Sequence, residues 1–472
     1  MRKNAKALSL AMAAALTLSG LAGCSKADSP APATTSETTA QSTAQQTETT
    51  TAAAKQEAAP KGASETEAKG AEGEWEYKEA TLSLLIDNNV SLDGLNAVCD
   101  LAREKLGITI EIEYKVDDSV LKTRLAAGEM TDLMVYNSGS LLSALNPSEY
   151  FMDLTGQPFV DKYDDTYKNS VTVDGVVYGV PFASTQAGAV MYYKPIYEEL
   201  KLEIPHTWDE FIANCEAIKA AGHTAYISST AKKSMTQVLF LGDHYNVMAA
   251  NPDFVKEFEK GNAKYASDPA ALKSWKKYED VLPYLQEGHT ATTYDEACDM
   301  LADGEGAHWI CLTQALSNIY SLYGEEAVNQ IGVFGVPGDN ADDHGLTVWM
   351  PNSLYGSLNS DKQEDILRFM EFYISDEALN AYAAAILPDG PYCIKGYSLP
   401  EGSYDGVKDD MQAYFDAGRT KVAMEFETAV KGANCSTITQ SLISGLTTGE
   451  AAAAEYDEDC KLQAVQLGLD WK

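Results

Sequence analysis

The sequence predicts an α/β fold organised on a parallel sheet, and three observations carry that prediction. Short apolar runs of strand length recur at 81–86, 108–114 and 133–136, the second alternating apolar with polar residues. Helix-period stretches at 92–106 and 119–127 separate them, each closed by a glycine, Gly107 and Gly128. Such a rhythm builds parallel sheets, whose ligands sit at the carboxyl ends of the strands. The third observation is size: 472 residues, 45% of them apolar, suffice for two or three domains with substantial cores.

Taken in order, the chain opens with Arg2, Lys3 and Lys6 ahead of an apolar run at 7–18. That run is shorter than the roughly 20 residues a spanning helix needs, and it reads as the core of a signal peptide covering 1–23. Leu21-Ala22-Gly23-Cys24 follows and resembles the bacterial lipobox. Its small residues admit a peptidase, and the Cys24 thiol offers the point of lipid (palmitate-type) attachment. An ordinary signal peptide with an incidental cysteine is the competing reading. Cleavage before Cys24 would leave 449 residues and take the net charge from −35 to −38. Residues 24–74 hold the lipidated cysteine and a stretch of Ala, Thr, Ser, Glu, Gln and Pro with almost no large apolar side chain. Such a composition cannot offset its ordering entropy, so a disordered tether is expected. About 50 residues of it would span roughly 40 Å r.m.s.. Trp75 begins the folded body.

The charge balance narrows the partners. Thirty-five Lys and Arg stand against 70 Asp and Glu, a net charge of −35. That excludes nucleic acid and anionic surfaces as partners of the chain as a whole. Twenty-six tyrosines offer flat faces with polar tips, suited to a polar ligand with apolar faces and equally to core packing.

No catalytic or metal motif emerges. Six histidines include no His-Glu-x-x-His and no zinc spacing; there is no Gly-x-Ser-x-Gly and no P-loop. The acidic loop 338–343 suggests calcium but lacks the EF-hand register, so a solvated turn is preferred. Neither a cofactor nor a metal is expected. A carboxylate pair of the kind that hydrolyses glycosides remains open among 70 acids. The eight cysteines are widely spaced with no Cys-x-x-Cys; with Cys24 lipidated, an odd seven remain. Buried free thiols are the preferred reading, and a Cys435–Cys460 bond stays open.

Several segments resemble, in order, the family 1 extracellular solute-binding proteins, the carbohydrate-type binding lipoproteins of ABC importers. Leu125 to Leu133 is similar to the family's "aGe-x-PDl", with Thr131 in place of Pro. Tyr178-Gly179-Val180-Pro181 and Met191-Tyr192-Tyr193-Lys194 resemble "yGvP…lyYNK", with Tyr193 where Asn is common. Pro205-His206-Thr207-Trp208-Asp209-Glu210-Phe211 resembles "P-x-TWdEf", and Thr207 with Glu210 also reads as a capping box. Further similarities fall at 300–308, 332–337, 365–376 and 446–450.

The resemblance implies a two-lobe periplasmic-binding-protein-like α/β fold with an interlobe ligand cleft and hinge crossings. Lobe 1 is expected at 75–186 and 347–388, and lobe 2 at 187–346 and 389–472. The crossings are expected near 183–187, 344–347 and 388–392.

It also implies ligand-binding positions, each set here beside its structural alternative. Trp349 fits a stacking aromatic at the second crossing, or a core strand residue. Tyr136, Asn137 and Ser138 follow the third strand; Asn137 is equally a turn former. Gln186 matches a polar cleft residue at the first crossing. Asn88 follows the first strand, or caps the next helix. Gln314 stands where the family often has a ligand-stacking Trp, which weakens any close analogy to malto-oligosaccharide binders. Tyr245 could compensate from its loop, or be merely exposed. Asn434 precedes the C-terminal helices in a family contact region.

The reading that follows is a monomeric, non-enzymatic binding lipoprotein on the outer face of the cell membrane. It captures a sugar, expected to be an oligosaccharide, and hands it to the permease subunits of an ABC importer. A secreted glycan-active enzyme, or a sensor of the same fold for a non-sugar solute, is the alternative.

Overall fold

The computed structural model describes residues 75–471 except 88–90 and 116–117. The expected signal peptide, Cys24, the tether and Asn88 lie outside the described residues. The opening elements form where the pattern puts them: β1 (Ala80–Asp87), a helix Asp93–Leu106, β2 (Ile108–Lys115), a helix Asp118–Ala126 and β3 (Leu133–Tyr136). Gly107 closes the first helix at φ 75°, a left-handed conformation that glycine adopts without steric cost. β2 and β3 flank β1, both parallel to it. Asp132, just before β3, accepts from the Ser83 amide (2.9 Å), Ser360 Oγ (2.7 Å) and Lys362 Nζ (3.0 Å). One carboxylate thus ties β1 to a segment more than two hundred residues later.

A short hairpin, β4 (Thr172–Val173) and β5 (Val176–Val177), precedes β6 (Gly179–Pro181) and β7 (Gln186–Tyr193). Then come β8 (Thr224–Ile227), β9 (Gly306–Leu312), β10 (Ile331–Gly335), β11 (Leu346–Trp349), β12 (Ser353–Gly356) and β13 (Thr420–Val422). Two larger sheets result. The first runs β2-β1-β3-β12-β6; the second runs β13-β11-β7-β9-β8, with β10 also paired to β7. Helices cover both; one large apolar cluster joins the first sheet to residues of the second, among them Ala187, Trp309, Val333 and Val348, and another packs on the second sheet alone. The capping box at Thr207 and Glu210 is present and starts the helix Trp208–Ala220.

The chain passes between the sheets as two strands side by side. β6 and β12 are antiparallel with Pro181 opposite Ser353; β7 and β11 are antiparallel with Gln186 opposite Trp349. Between these pairs four residues, 182–185, face three, 350–352, so the ladder is interrupted as in a bulge. One bond bridges the gap, from the Phe182 amide to the Asn352 carbonyl (3.0 Å). The second crossing therefore lies at 350–352, beyond the expected 344–347, because the β7–β11 register holds through Trp349. The third passage also extends further than 388–392. Cys393 and Lys395 still bond to Asp164 and Lys162 on the first-sheet side. Contact with β10 begins at Gly406, which packs on Ile331 and Val333, and continues at Asp410, which accepts from the Val333 amide (2.8 Å).

The acidic loop is a turn pinned mostly by partners outside it. Asp339 pairs with Lys273, Asp343 accepts from Tyr245 Oη (2.8 Å), and Asn340 accepts from the Asp342 amide (3.1 Å). Among the described residues, no group of three His, Cys, Asp or Glu is arranged to hold a metal ion. Cys435 and Cys460 are not bonded to one another; seven described cysteines are free and six are buried. Among the described residues, no helix is long and apolar enough to cross a membrane.

Lys277 and Asp243 are both almost fully buried. Lys277 Nζ lies 2.5 Å from Asp243 Oδ1 and 2.6 Å from the Pro337 carbonyl, over the Trp208 ring at 4.7 Å. Removing one partner strands the other charge in the core. Lys277→Ala should therefore destabilise the protein by about 3–5 kcal/mol, read as a lower urea midpoint.

Candidate functional site

The carboxyl-end rule points to the edge of the second sheet that faces the crossings, and the strand registers set what stands along it. Trp349, at the end of β11, is opposite Gln186, at the start of β7. On the other side of β7, Gly188 is opposite Leu312, and the Thr313 amide and Oγ1 bond to Ala187 (both 3.0 Å). That brings Gln314 to the level of Gln186. Beyond β11, the Ala423 amide donates to the Val348 carbonyl (2.9 Å), which leads Glu425 to Trp349. The result is a row across the sheet edge: Glu425, Trp349, Gln186, Gln314, all half-buried.

Each member is held by specific partners. The Trp349 ring lies against the backbone of Gly188, where a Cβ would sit 2.6 Å from the indole. Its Nε1 donates to Glu425 Oε1 (2.6 Å), and Lys431 pairs with the other oxygen of that carboxylate. Gln186 Nε2 donates to Asp389 Oδ2 (3.4 Å), and Ser317 Oγ donates to Asp389 Oδ1. Burial pushes the Asp389 carboxyl up to about 6, partly offset by these two donors. Gln314 opens the helix Gln314–Tyr323 and lines a cavity of about 430 Å³ with Lys232, Met235, Thr293, Tyr294 and Asp295.

The first lobe meets this row directly. Ser140 Oγ, after β3, donates to the Glu425 carbonyl (3.0 Å), and Gly139 packs on Phe426. Beside this contact a cavity of about 420 Å³ runs between Ser140, Asn169 and Ser170 on one lobe and Met248, Lys256 and Phe426 on the other. A smaller cavity of about 170 Å³, by the acidic loop, is lined by Asp243, Lys273, Lys277, Asp339 and Asp343; Lys273 pairs with Asp339 and Lys277 with Asp243, and Asp343 accepts from Tyr245.

Of the residues singled out in the sequence, Trp349, Gln186 and Gln314 come together in the row. Asn137 is half-buried on the facing loop, its carbonyl accepting from Tyr355 Oη (2.9 Å). Tyr136 and Ser138 are buried in the first lobe, because β3 is an interior strand flanked by β1 and β12. Tyr245 is not at the row. Its ring covers Gly345 and its hydroxyl reaches Asp343, towards the opposite end of β11. Asn434 is spent on Asp459, to which its amide (2.7 Å) and Nδ2 (2.9 Å) both donate, joining the last two helices. The residues that sequence reasoning missed are Glu425, Lys431, Asp389 and Ser317. Asp389 fell within a segment marked as a crossing, and a carboxylate beside a crossing was the available signal.

The family model described as "Bacterial extracellular solute-binding protein" matches residues 97–412. The chain belongs to that family. It is thus an extracellular solute-binding protein by family. It is 32% identical over 129 residues to the multiple sugar-binding protein of Streptococcus mutans, 27% of this chain and 30% of that relative. It is 26% identical over 248 residues to an uncharacterized ABC transporter extracellular-binding protein of Pyrococcus horikoshii, 51% and 57% of the two chains. The chain thus spans between 30% and 57% of the curated relatives it matches. Among solved structures, it resembles the apo form of RafE from Streptococcus pneumoniae with a TM-score of 0.69 and 21% identity, covering 82% of this chain and 98% of RafE. RafE in complex with raffinose gives a TM-score of 0.63 at 21% identity, covering 82% and 100%. The two-lobe solute-binding fold is therefore shared.

Gly188→Ala should push the Trp349 ring off its seat and break its bond to Glu425. The expected readout is a displaced Trp349 indole N–H resonance, identified by its loss in Trp349→Phe, with the remaining tryptophan indoles unmoved.

Proposed function

We propose that this solute-binding protein captures a sugar at the row Glu425–Trp349–Gln186–Gln314 and delivers it to an ABC permease. The observation that carries the reading is the row itself. A half-exposed indole stands beside two carboxamides on one sheet edge, opposite a loop of the other lobe. A sugar presents C–H faces to an aromatic plane and hydroxyls to planar polar groups, so this alternation suits it. The raffinose complex of RafE and the sugar-binding relative from Streptococcus mutans support the same class of ligand. Asn137 and Ser140 would contribute from the first lobe, and closure would bend the chain at 182–185 and 350–352.

We further propose that Cys24 carries a lipid, that residues 24–74 tether a monomeric body to the outer face of the membrane, and that the liganded form is what the permease recognises. The support is the Leu-Ala-Gly-Cys sequence directly after an apolar run.

A thermal-shift screen of the body from Glu74 against mono- and oligosaccharides, raffinose included, tests the ligand class. A sugar at 100 times its Kd should stabilise by about 2.7 kcal/mol. Trp349→Ala should weaken that binding about tenfold or more, and a silent panel on folded protein would refute the sugar reading. For the anchor, Cys24→Ser should move the protein from the membrane fraction to the medium.

A further inference from the structure

Asp389 is a carboxylate without a cation. Its oxygens take Ser317 Oγ from the helix Gln314–Tyr323 and Gln186 Nε2 from β7, and its amide donates to Ser184 Oγ (3.2 Å). The titratable groups facing it are the phenols of Tyr382, Tyr392 and Tyr404, all neutral near pH 7 because burial raises them. Among the described residues, no lysine, arginine or histidine pairs with it. The segment is held rigidly: the Thr185 amide (3.0 Å) and Oγ1 (2.8 Å) both donate to the Pro391 carbonyl, and a Cβ on Gly390 would meet the Thr185 carbonyl at 2.5 Å. Gln186 and Asp389 therefore have little freedom to part by backbone movement.

We propose that Asp389 is a positioning residue that fixes which way the Gln186 carboxamide faces the cleft. An ionised carboxylate only accepts hydrogen bonds, so Gln186 must turn its NH2 towards Asp389 and its carbonyl oxygen towards the ligand. The cleft then offers an acceptor at the centre of the row and selects a ligand group that donates. When Asp389 takes a proton, it becomes a donor. Ser317 keeps donating to the remaining lone pairs, the new O–H is given to Gln186 Oε1, and the amide turns its NH2 outwards. Proton balance is simple: one proton arrives from solvent and no bond between heavy atoms changes. The cleft's demand switches from a donor to an acceptor, with the midpoint in mildly acidic conditions. This inference rests on the sugar-binding reading for its consequence, but not for its geometry.

The test separates the two. In the ligand-free body, the Gln186 side-chain NH2 resonances, identified by their loss in Gln186→Met, should shift between pH 7.5 and 4.5 with a midpoint near 6. In Asp389→Asn the same resonances should not titrate. Ser317→Ala, which removes a donor that favours the ionised form, should move the midpoint upwards, and it keeps the proposal testable if Asp389→Asn does not fold. Resonances that stay fixed in the native protein, or that titrate equally in Asp389→Asn, overturn the proposal. With raffinose as probe, affinity should fall about threefold to tenfold from pH 7.5 to pH 5 in the native protein and stay flat in Asp389→Asn, the range expected for one hydrogen bond. Raffinose that binds at neither pH, with a titrating amide, counts against raffinose as ligand and for the positioning role.

Discussion

The whole site depends on two adjacent strands that continue from one sheet into the other. Within each sheet they are locked by ladder bonds, Pro181 against Ser353 on one side and Gln186 against Trp349 on the other. Between those pairs the four-against-three mismatch leaves one bridging bond, and Pro351 has no amide proton to give. Pairing is thus sparse at 182–185 and 350–352 and continuous on either side, which under the proposed closure would confine bending to those residues. The same arrangement sets the face of every side chain downstream, since a slip of one residue in a strand turns its side chains to the other face. Gln186 and Trp349 stand together at the cleft because this register places the last pair of the second sheet at its edge. The third passage is fastened to the first by the two bonds from Thr185 to Pro391, so the crossings behave as one strap.

The row at the sheet edge is held by hydrogen bonds within the protein. Glu425 balances Lys431 and orients the indole; Asp389 orients a carboxamide; Ser140 brings the first lobe to the backbone of Glu425. If the row is the binding site, as proposed, a ligand would meet groups whose orientations need little further ordering, which lowers the entropic cost of binding. The charges of the row are consumed locally, one by a lysine and one by neutral donors. What remains at the sheet edge is a ring face and amide groups, which under the proposed function would suit an uncharged polar molecule.

Much of the fold was legible because it is local. Alternation at 108–114, a glycine after each early helix and the Thr207–Glu210 box are short-range signals, and the elements form there. The order of strands within the sheets was not legible, since β12 joins the first sheet only after the second has been largely built. Trp349, Gln186 and Gln314, each at a strand end in a segment resembling the family, are brought together by the fold. Elsewhere tertiary packing sets a side chain's place. The polar neighbours of Tyr245 suggest exposure, but its ring is buried over Gly345; Asn434 is claimed by Asp459, 25 residues on. Asp389 sits in Leu387-Pro388-Asp389-Gly390, which reads as an ordinary turn. Its partner Gln186 is 203 residues away, and no local pattern announces such a pair.

The thiols lead somewhere else. Burial raises the described cysteines, to about 12 at Cys99, Cys298 and Cys460, so almost none is present as the reactive thiolate at neutral pH. Among the described residues the folded body is free of covalent cross-links, so its folding needs no disulfide exchange and no oxidising catalyst. Its resistance to oxidants outside the cell is then a matter of rates. A thiol in the core can be attacked only while its surroundings are transiently open, so chemical durability is set by how seldom each lobe breathes. Packing supplies here the lasting protection that many secreted domains obtain from disulfides.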